Sequence, residues 1–226
     1  MRQITYYGHS CFLVEMDETS LLFDPFITGN DLAKSIDIKT INPQFILVSH
    51  GHGDHVADVE SIARQSDAVV VSSYEIASYY GGKNLKYHPI NIGGRWDFGK
   101  FWVKCVNAVH SSVLPDGTYA GNPMGFVVGN ASGAFYYSGD TALHTDMQLI
   151  AQSTPVDLAF LCLGDNFTMG ISDAASAAKM VGCKQVIGMH FDTFGYIKID
   201  HQRATDHFAS AGLTLKLPAI GESWQA

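Results

Sequence analysis

Short apolar runs, each broken off by a histidine or an aspartate, constrain this chain more than any other feature of it. The run Phe45-Ile46-Leu47-Val48-Ser49 ends at His50, residues 101–109 end at His110, residues 134–139 lead to Asp140, and Val186-Ile187-Gly188-Met189 ends at His190. Runs of this length and composition, bounded by turn residues, are strands. One histidine after a strand is an ordinary capping or surface group. Four strands that each deliver a potential metal ligand at the same end, beside a local cluster of the same residue types, predict a site.

The pattern around these runs sets the fold class. Strands are expected at residues 4–7, 11–16 and 21–23, with a turn at Asp17-Glu18-Thr19, which makes an antiparallel opening. From Phe45 on, apolar runs alternate with helical stretches: strand 45–48, helix 56–65, strand 68–71 and helix 74–80. Strands return at 86–90, 95–98 and 101–108, followed by the Gly-, Pro- and Ser-rich stretch Ser111–Pro123, whose length fits a loop with a task such as covering a pocket. The second half repeats the scheme. Strands are expected at 126–129, 134–137, 158–163 and 185–189, with helices at 144–151 and 173–181, the latter with Ser172 as N-cap and Gly182 as its stop. Two such halves predict an α/β protein of two sheets packed face to face with helices outside, in one domain spanning residues 1–226 without a linker.

Composition narrows the function. A chain of 226 residues that is 46% hydrophobic and only 16% charged buries a substantial core. Its formal charge of −8, with no run of Lys or Arg, disfavours a nucleic-acid partner. Cys11, Cys105, Cys162 and Cys183 are far apart and form no C-x-x-C pair, so reduced, buried thiols are expected. No apolar leader or span of about 18 residues appears, and the expected location is cytoplasmic, with no membrane partner. The expected partner is a small-molecule substrate, and a homo-oligomer is left open.

In the local cluster, His50 and His52 are two apart on a loop and converge on one ion, while Asp54 and His55 start the next helix and reach a second. Gly51 and Gly53 are expected to let the backbone turn that tightly. Imidazole and carboxylate donors suit zinc, manganese, iron or nickel, and a catalytic ion takes about three protein ligands with one position open for water. The expected arrangement puts His50, His52 and His110 on one ion, and Asp54, His55 and His190 on the other, with Asp140 bridging. The cofactor expectation is two divalent ions per chain, zinc ahead of manganese, nickel or iron.

The H-x-H-x-D-H run of His50–His55, followed in order by His110, Asp140 and His190, resembles the metallo-β-lactamase fold superfamily of binuclear metal hydrolases. Gly8-His9-Ser10-Cys11-Phe12, Asp24-Pro25-Phe26, Ser138-Gly139-Asp140-Thr141 and the stretch Gly164-Asp165-Asn166-Phe167-Thr168-Met169-Gly170 are similar to a group of small bacterial metal-dependent hydrolases near the ascorbate-phosphate lactonase branch. The resemblance implies a four-layer αβ/βα sandwich of two mixed sheets flanked by helices. It implies hydrolysis of a small-molecule ester, lactone or phosphoester by a hydroxide that two ions generate from a shared water near neutral pH. Asp54 and His190 are the expected catalytic residues, Asp54 accepting a proton from that water.

Bland readings compete at the flanking positions. His9 sits in a turn, where a backbone hydrogen bond would explain it as well as a site role; Asp24 is expected behind a ligating histidine, fixing its tautomer. Asp165, Asn166 and Thr168 are expected to meet substrate, against the reading of a plain strand-to-helix loop. His88, His144, His201 and His207 are read as surface or core histidines. The alternatives to a small-molecule hydrolase are a nucleic-acid or phospholipid phosphodiesterase and a metal-binding protein without turnover.

Overall fold

A computed structural model describes residues 2–226. In chain order the strands and helices are β1 (Arg2–Gly8), β2 (Cys11–Met16), β3 (Thr19–Phe23), β4 (Phe45–Leu47), α1 (Gly53–Val56), α2 (Val59–Ser66), β5 (Val69–Ser72), α3 (Tyr74–Gly82) and β6 (Tyr87–Pro89). There follow β7 (Arg95–Asp97), β8 (Trp102–Asn107), β9 (Met124–Asn130), β10 (Gly133–Tyr137), α4 (Met147–Ser153), β11 (Leu158–Cys162), α5 (Ile171–Met180), β12 (Gln185–Met189), α6 (His201–Ser210), β13 (Thr214–Lys216) and β14 (Ser223–Gln225).

The strands form two mixed sheets flanked by helices, in two compact units that interleave along the chain. Residues 2–91, Ser111–Pro123 and Ala219–Ala226 make the first unit, and Ile92–His110 with Met124–Pro218 make the second. In the first, the order is β14-β1-β2-β3-β4-β5-β6, antiparallel from β14 to β3 and parallel from β3 to β6. In the second, the order is β13-β12-β11-β10-β9-β8-β7, antiparallel from β7 to β10 and parallel from β10 to β13. Parallel neighbours need a crossover long enough for a helix, which is where α1 to α6 fall.

Burial follows the sequence pattern. Along β1, buried residues alternate with half-buried ones, the period of a strand with one face on the core, whereas Leu158-Ala159-Phe160-Leu161-Cys162 of β11 is buried throughout. The core of the first unit gathers Leu22, Ile46, Val48, Ile62, Val70 and Ile76, and takes in Leu114 and Ala120 from the Ser111–Pro123 stretch. That stretch is therefore a packed arm with a Val113–Tyr119 bridge, built into its unit's core. All four cysteines are free and buried. Among the described residues, no helix is long and apolar enough to cross a membrane.

Several boundaries differ from the sequence reading for identifiable reasons. The helix expected over 56–65 is split into α1 and α2, because Asp58 between them turns its buried carboxylate to the backbone N–H groups of Ile27 (2.6 Å) and Thr28 (2.9 Å). The N-cap of α5 is Gly170, and Ser172 lies inside the first turn; a Cβ at Gly170 would come within 3.2 Å of the Asp165 carboxylate. Gly182 does stop the helix, at φ +72°. Helix α6, with Asp200 capping its N-terminus, and the edge strands β13 and β14 were not expected.

Strand direction places the candidate residues. In the first unit β1, β3 and β4 run the same way, so His9, Asp24 and His50 leave the sheet at one edge. In the second unit β8, β10, β11 and β12 share a direction, which brings the residues after them, His110, Asp140, Asp165 and His190, to one edge of that sheet.

Candidate metal centre

The first unit builds its ligand group on a buried carboxylate. Pairing of β3 with β4 sets Phe23 beside Leu47, so Asp24 arrives next to Ser49 although 25 residues separate them. Asp24 is fully buried, and its Oδ1 accepts the Ser49 N–H at 2.7 Å. Its Oδ2 accepts the Ser49 hydroxyl at 2.6 Å and meets His55 Nδ1 at 2.9 Å.

These contacts fix two tautomers. A carboxylate only accepts, so His55 carries its proton on Nδ1 and turns the lone pair of Nε2 outward. The single hydroxyl proton of Ser49 is committed to Asp24, so Ser49 Oγ, 3.0 Å from His50 Nδ1, accepts from that nitrogen, and the His50 lone pair is likewise on Nε2. His50 Nε2 then stands 3.0 Å from His52 Nδ1, and the ring centroids of His50 and His55 are 4.1 Å apart. Asp24, His50 and His55 each bring a ligand-type atom within 4.8 Å of the others. Nitrogen lone pairs gathered this closely, oriented from behind by a carboxylate, fit a divalent ion of the borderline class.

Asp54 sits in the first turn of α1, a quarter exposed, with Oδ2 3.2 Å from Nε2 of the buried His9. His9 thus meets a predicted ligand through its side chain. His9 and Asp24 both have left-handed backbone (φ +56° and +40°), a conformation that is uncommon for non-glycine residues and that Asp and His tolerate better than most. Neither Gly51 nor Gly53 has it, so the left-handed freedom of glycine is not used at either position. Gly51 is needed for close approach: a Cβ there would lie 2.5 Å from that of Ala120, and its N–H donates to Ser112 Oγ at 3.1 Å. Gly53 opens α1 with room around it.

The second unit holds the other group. Asp140 is buried, with Oδ2 2.9 Å from His190 Nε2 and 3.7 Å from His110 Nε2. Thr141 staples the loops together: its Oγ1 accepts from Val109 N (2.9 Å), and its carbonyl accepts from Met169 N (3.0 Å). His190 is left-handed at φ +56°, and its carbonyl leaves no room for a side chain at Gly164. Beneath Asp140 the Cys162 thiol is pushed up to about 11 by burial and then by the Asp140 charge, so it is a neutral packing group. Asp165 and Asn166 follow β11 with φ of +61° and +52° and line a cavity in this unit, whereas Thr168 points its hydroxyl at the Met169 carbonyl and is not part of that lining.

A family profile described as the beta-lactamase superfamily domain matches residues 3–190. The chain belongs to the metallo-β-lactamase superfamily. Within it, the chain is 51% identical to a UPF0173 metal-dependent hydrolase of Flavobacterium johnsoniae and 48% identical to one of Christiangramia forsetii, in each case over 98% of both chains. Among solved structures, Igni18, a metallo hydrolase from the archaeon Ignicoccus hospitalis, superposes with a TM-score of 0.90 at 31% identity, covering 99% of this chain and 97% of its own. The α/β fold of two mixed, helix-flanked sheets is therefore that of the superfamily.

Ser49 is the residue that sequence reading missed. Nothing marks it in the sequence beyond its place between a strand and His50. Its role as a relay exists only because β3 and β4 are neighbours.

Proposed function

We propose that the chain is a small-molecule hydrolase that works with two divalent ions, zinc ahead of manganese, nickel or iron. Its donors are His50, His52, Asp54, His55, His110, Asp140 and His190. When bound, such ions acidify water and polarise the scissile group. The observation that carries this reading is the Asp24–Ser49–His50 and Asp24–His55 network, in which a buried carboxylate orients two imidazoles with their Nε2 lone pairs outward.

The residues divide the work. Asp24 and Ser49 hold His50 and His55 in the binding tautomer. His9 holds one oxygen of Asp54, leaving the carboxylate positioned to take a proton from the attacking water. His190 and Asp140, joined at 2.9 Å, keep each other's orientation. The relatives' name as metal-dependent hydrolases supports the reaction class, and the scissile bond is an ester, lactone or phosphoester. The acidic balance favours a small substrate over a polyanion.

Metal analysis of protein purified without chelator, with a panel of esters, lactones, thioesters and phosphodiesters, tests this on wild type and Asp140→Ala. Wild type is expected to hold two ions and hydrolyse at least one class, and the variant to lose metal and rate together. A variant with two ions and full activity sinks the ligand assignment.

A further inference from the structure

The second unit contains a cavity of about 570 Å³, a volume suited to a small metabolite. Its walls are the loop after β11, the first turn of α5, and the segment from Tyr196 to Arg203. The loop after β11 is the one bonded to the Thr141 carbonyl through Met169, and its Gly164 lies against the His190 carbonyl, so one wall of the cavity is held by the loops that carry Asp140 and His190.

Charge in this cavity is unevenly satisfied. Asp165 accepts the Asn166 N–H at 2.8 Å, Asp200 accepts the Arg203 N–H at 3.0 Å as the cap of α6, and Asp173 sits in the first turn of α5, where the helix dipole favours an anion. Lys198 and Arg203, on the facing wall, have no ion pair or side-chain hydrogen bond among the described residues. The lining thus holds two cations without a partner side chain, together with three carboxylates.

Tyr196 is 78% exposed and forms an edge-to-face pair with the half-exposed Phe167, ring centroids 6.2 Å apart. Two large rings facing solvent together offer a surface for a planar or apolar group. The segment that carries Tyr196 and Lys198 is tied down beforehand. Asp192, left-handed at φ +62°, accepts the Ile199 N–H at 3.0 Å and meets His201 Nε2 at 2.6 Å. A subsite built this way loses little freedom on binding.

We infer that this cavity recognises the substrate through an oxyanion, carboxylate or phosphate, held by Lys198 and Arg203, with an adjoining planar or apolar group on Tyr196 and Phe167. This rests on the metal-hydrolase reading, because the cavity matters to turnover only if Asp140 and His190 belong to the reacting centre.

Calorimetric titration of the zinc-loaded full chain with phenylphosphonate, phenylacetate and the uncharged phenylacetamide tests it. The comparison is between wild type, the double variant Lys198→Gln/Arg203→Gln, and Tyr196→Ser. At least one oxyanion probe is expected to bind about tenfold tighter than phenylacetamide, and the tighter of the two names the group. The double variant is expected to bind that oxyanion about tenfold more weakly than wild type and with less dependence on NaCl, while Tyr196→Ser weakens all three probes about threefold. Any coordination of a probe by zinc is common to wild type and double variant, so it cancels in the comparison. Equal affinity of wild type and double variant for both oxyanions, or no binding of either, overturns the subsite. The metal reading stands or falls separately, on the metal content of Asp140→Ala.

Discussion

Replacing Asp24 separates its two tasks, stability and tautomer control. In Asp24→Ala, the Ser49 N–H and the His55 Nδ1–H lose their acceptor inside a region with no solvent access, while the Ser49 hydroxyl is able to re-aim. A hydrogen bond to a charged group contributes about 1.5–3 kcal/mol net, so two of them amount to about 3–6 kcal/mol. With a urea slope near the upper end of the usual range, that moves the midpoint of the chelator-treated protein down by roughly 1.5 M. Asp24→Asn tolerates the left-handed backbone and keeps an oxygen for Ser49 N–H, but sets an NH₂ against His55 Nδ1. His55 must then accept at Nδ1 and carry its proton on Nε2, the nitrogen assigned to metal. The expected result is a loss of only about 1–2 kcal/mol in stability but a 10–100-fold drop in zinc affinity, read by competition with a chromophoric chelator. Wild-type zinc affinity in Asp24→Asn would refute the tautomer reasoning, and an unmoved urea midpoint in Asp24→Ala would refute the burial argument.

Gly164→Ala puts a Cβ 2.1 Å from the His190 carbonyl, and since backbone must move, a loss of about 2 kcal/mol or more is expected in thermal melts, together with reduced metal content. Burial pushes the Cys105 and Cys162 thiols up to about 12 and about 11, so a disulfide reagent at pH 8 is expected to label none of the four buried thiols until denaturant is added; rapid labelling of the native chain would contradict this. Burial lowers the pKa of His144 below its ordinary value of 6.5, so as pH falls through 6.5 the unfolded chain takes up a proton that the fold resists. Wild type should therefore lose more stability than His144→Gln between pH 7 and pH 5 in urea titrations. Imidazole donors must be neutral to bind, and metal content is expected to drop below about pH 6; full occupancy at pH 4.5 would count against a histidine-rich centre.

The legible parts of this molecule are those in which spacing along the chain equals proximity in space. His50, His52, Asp54 and His55 stand on one strand end and the first turn of one helix, so their order in the sequence already implied a cluster. The strands were legible because short continuous apolar runs such as residues 158–162, bounded by turn residues, fit a strand covered on both faces. Less legible was α6, whose ten residues carry only Ala204 and Phe208 as buried positions, too thin a stripe to stand out by periodicity. With α6 went Arg203, and with the turn before it Tyr196 and Lys198.

The sequence by itself determined the superfamily, through its family signature, and the order along the chain of the seven proposed donors, each at the end of an apolar run or at the start of a helix. Tertiary structure alone decided how those donors are held. Asp24 reaches Ser49 and His55 because β3 and β4 pair in parallel, and Gly164 must be glycine because β11 ends against His190. The tautomers of His50 and His55 follow from a hydrogen-bond network whose members lie up to 31 positions apart, a distance across which no local pattern carries information.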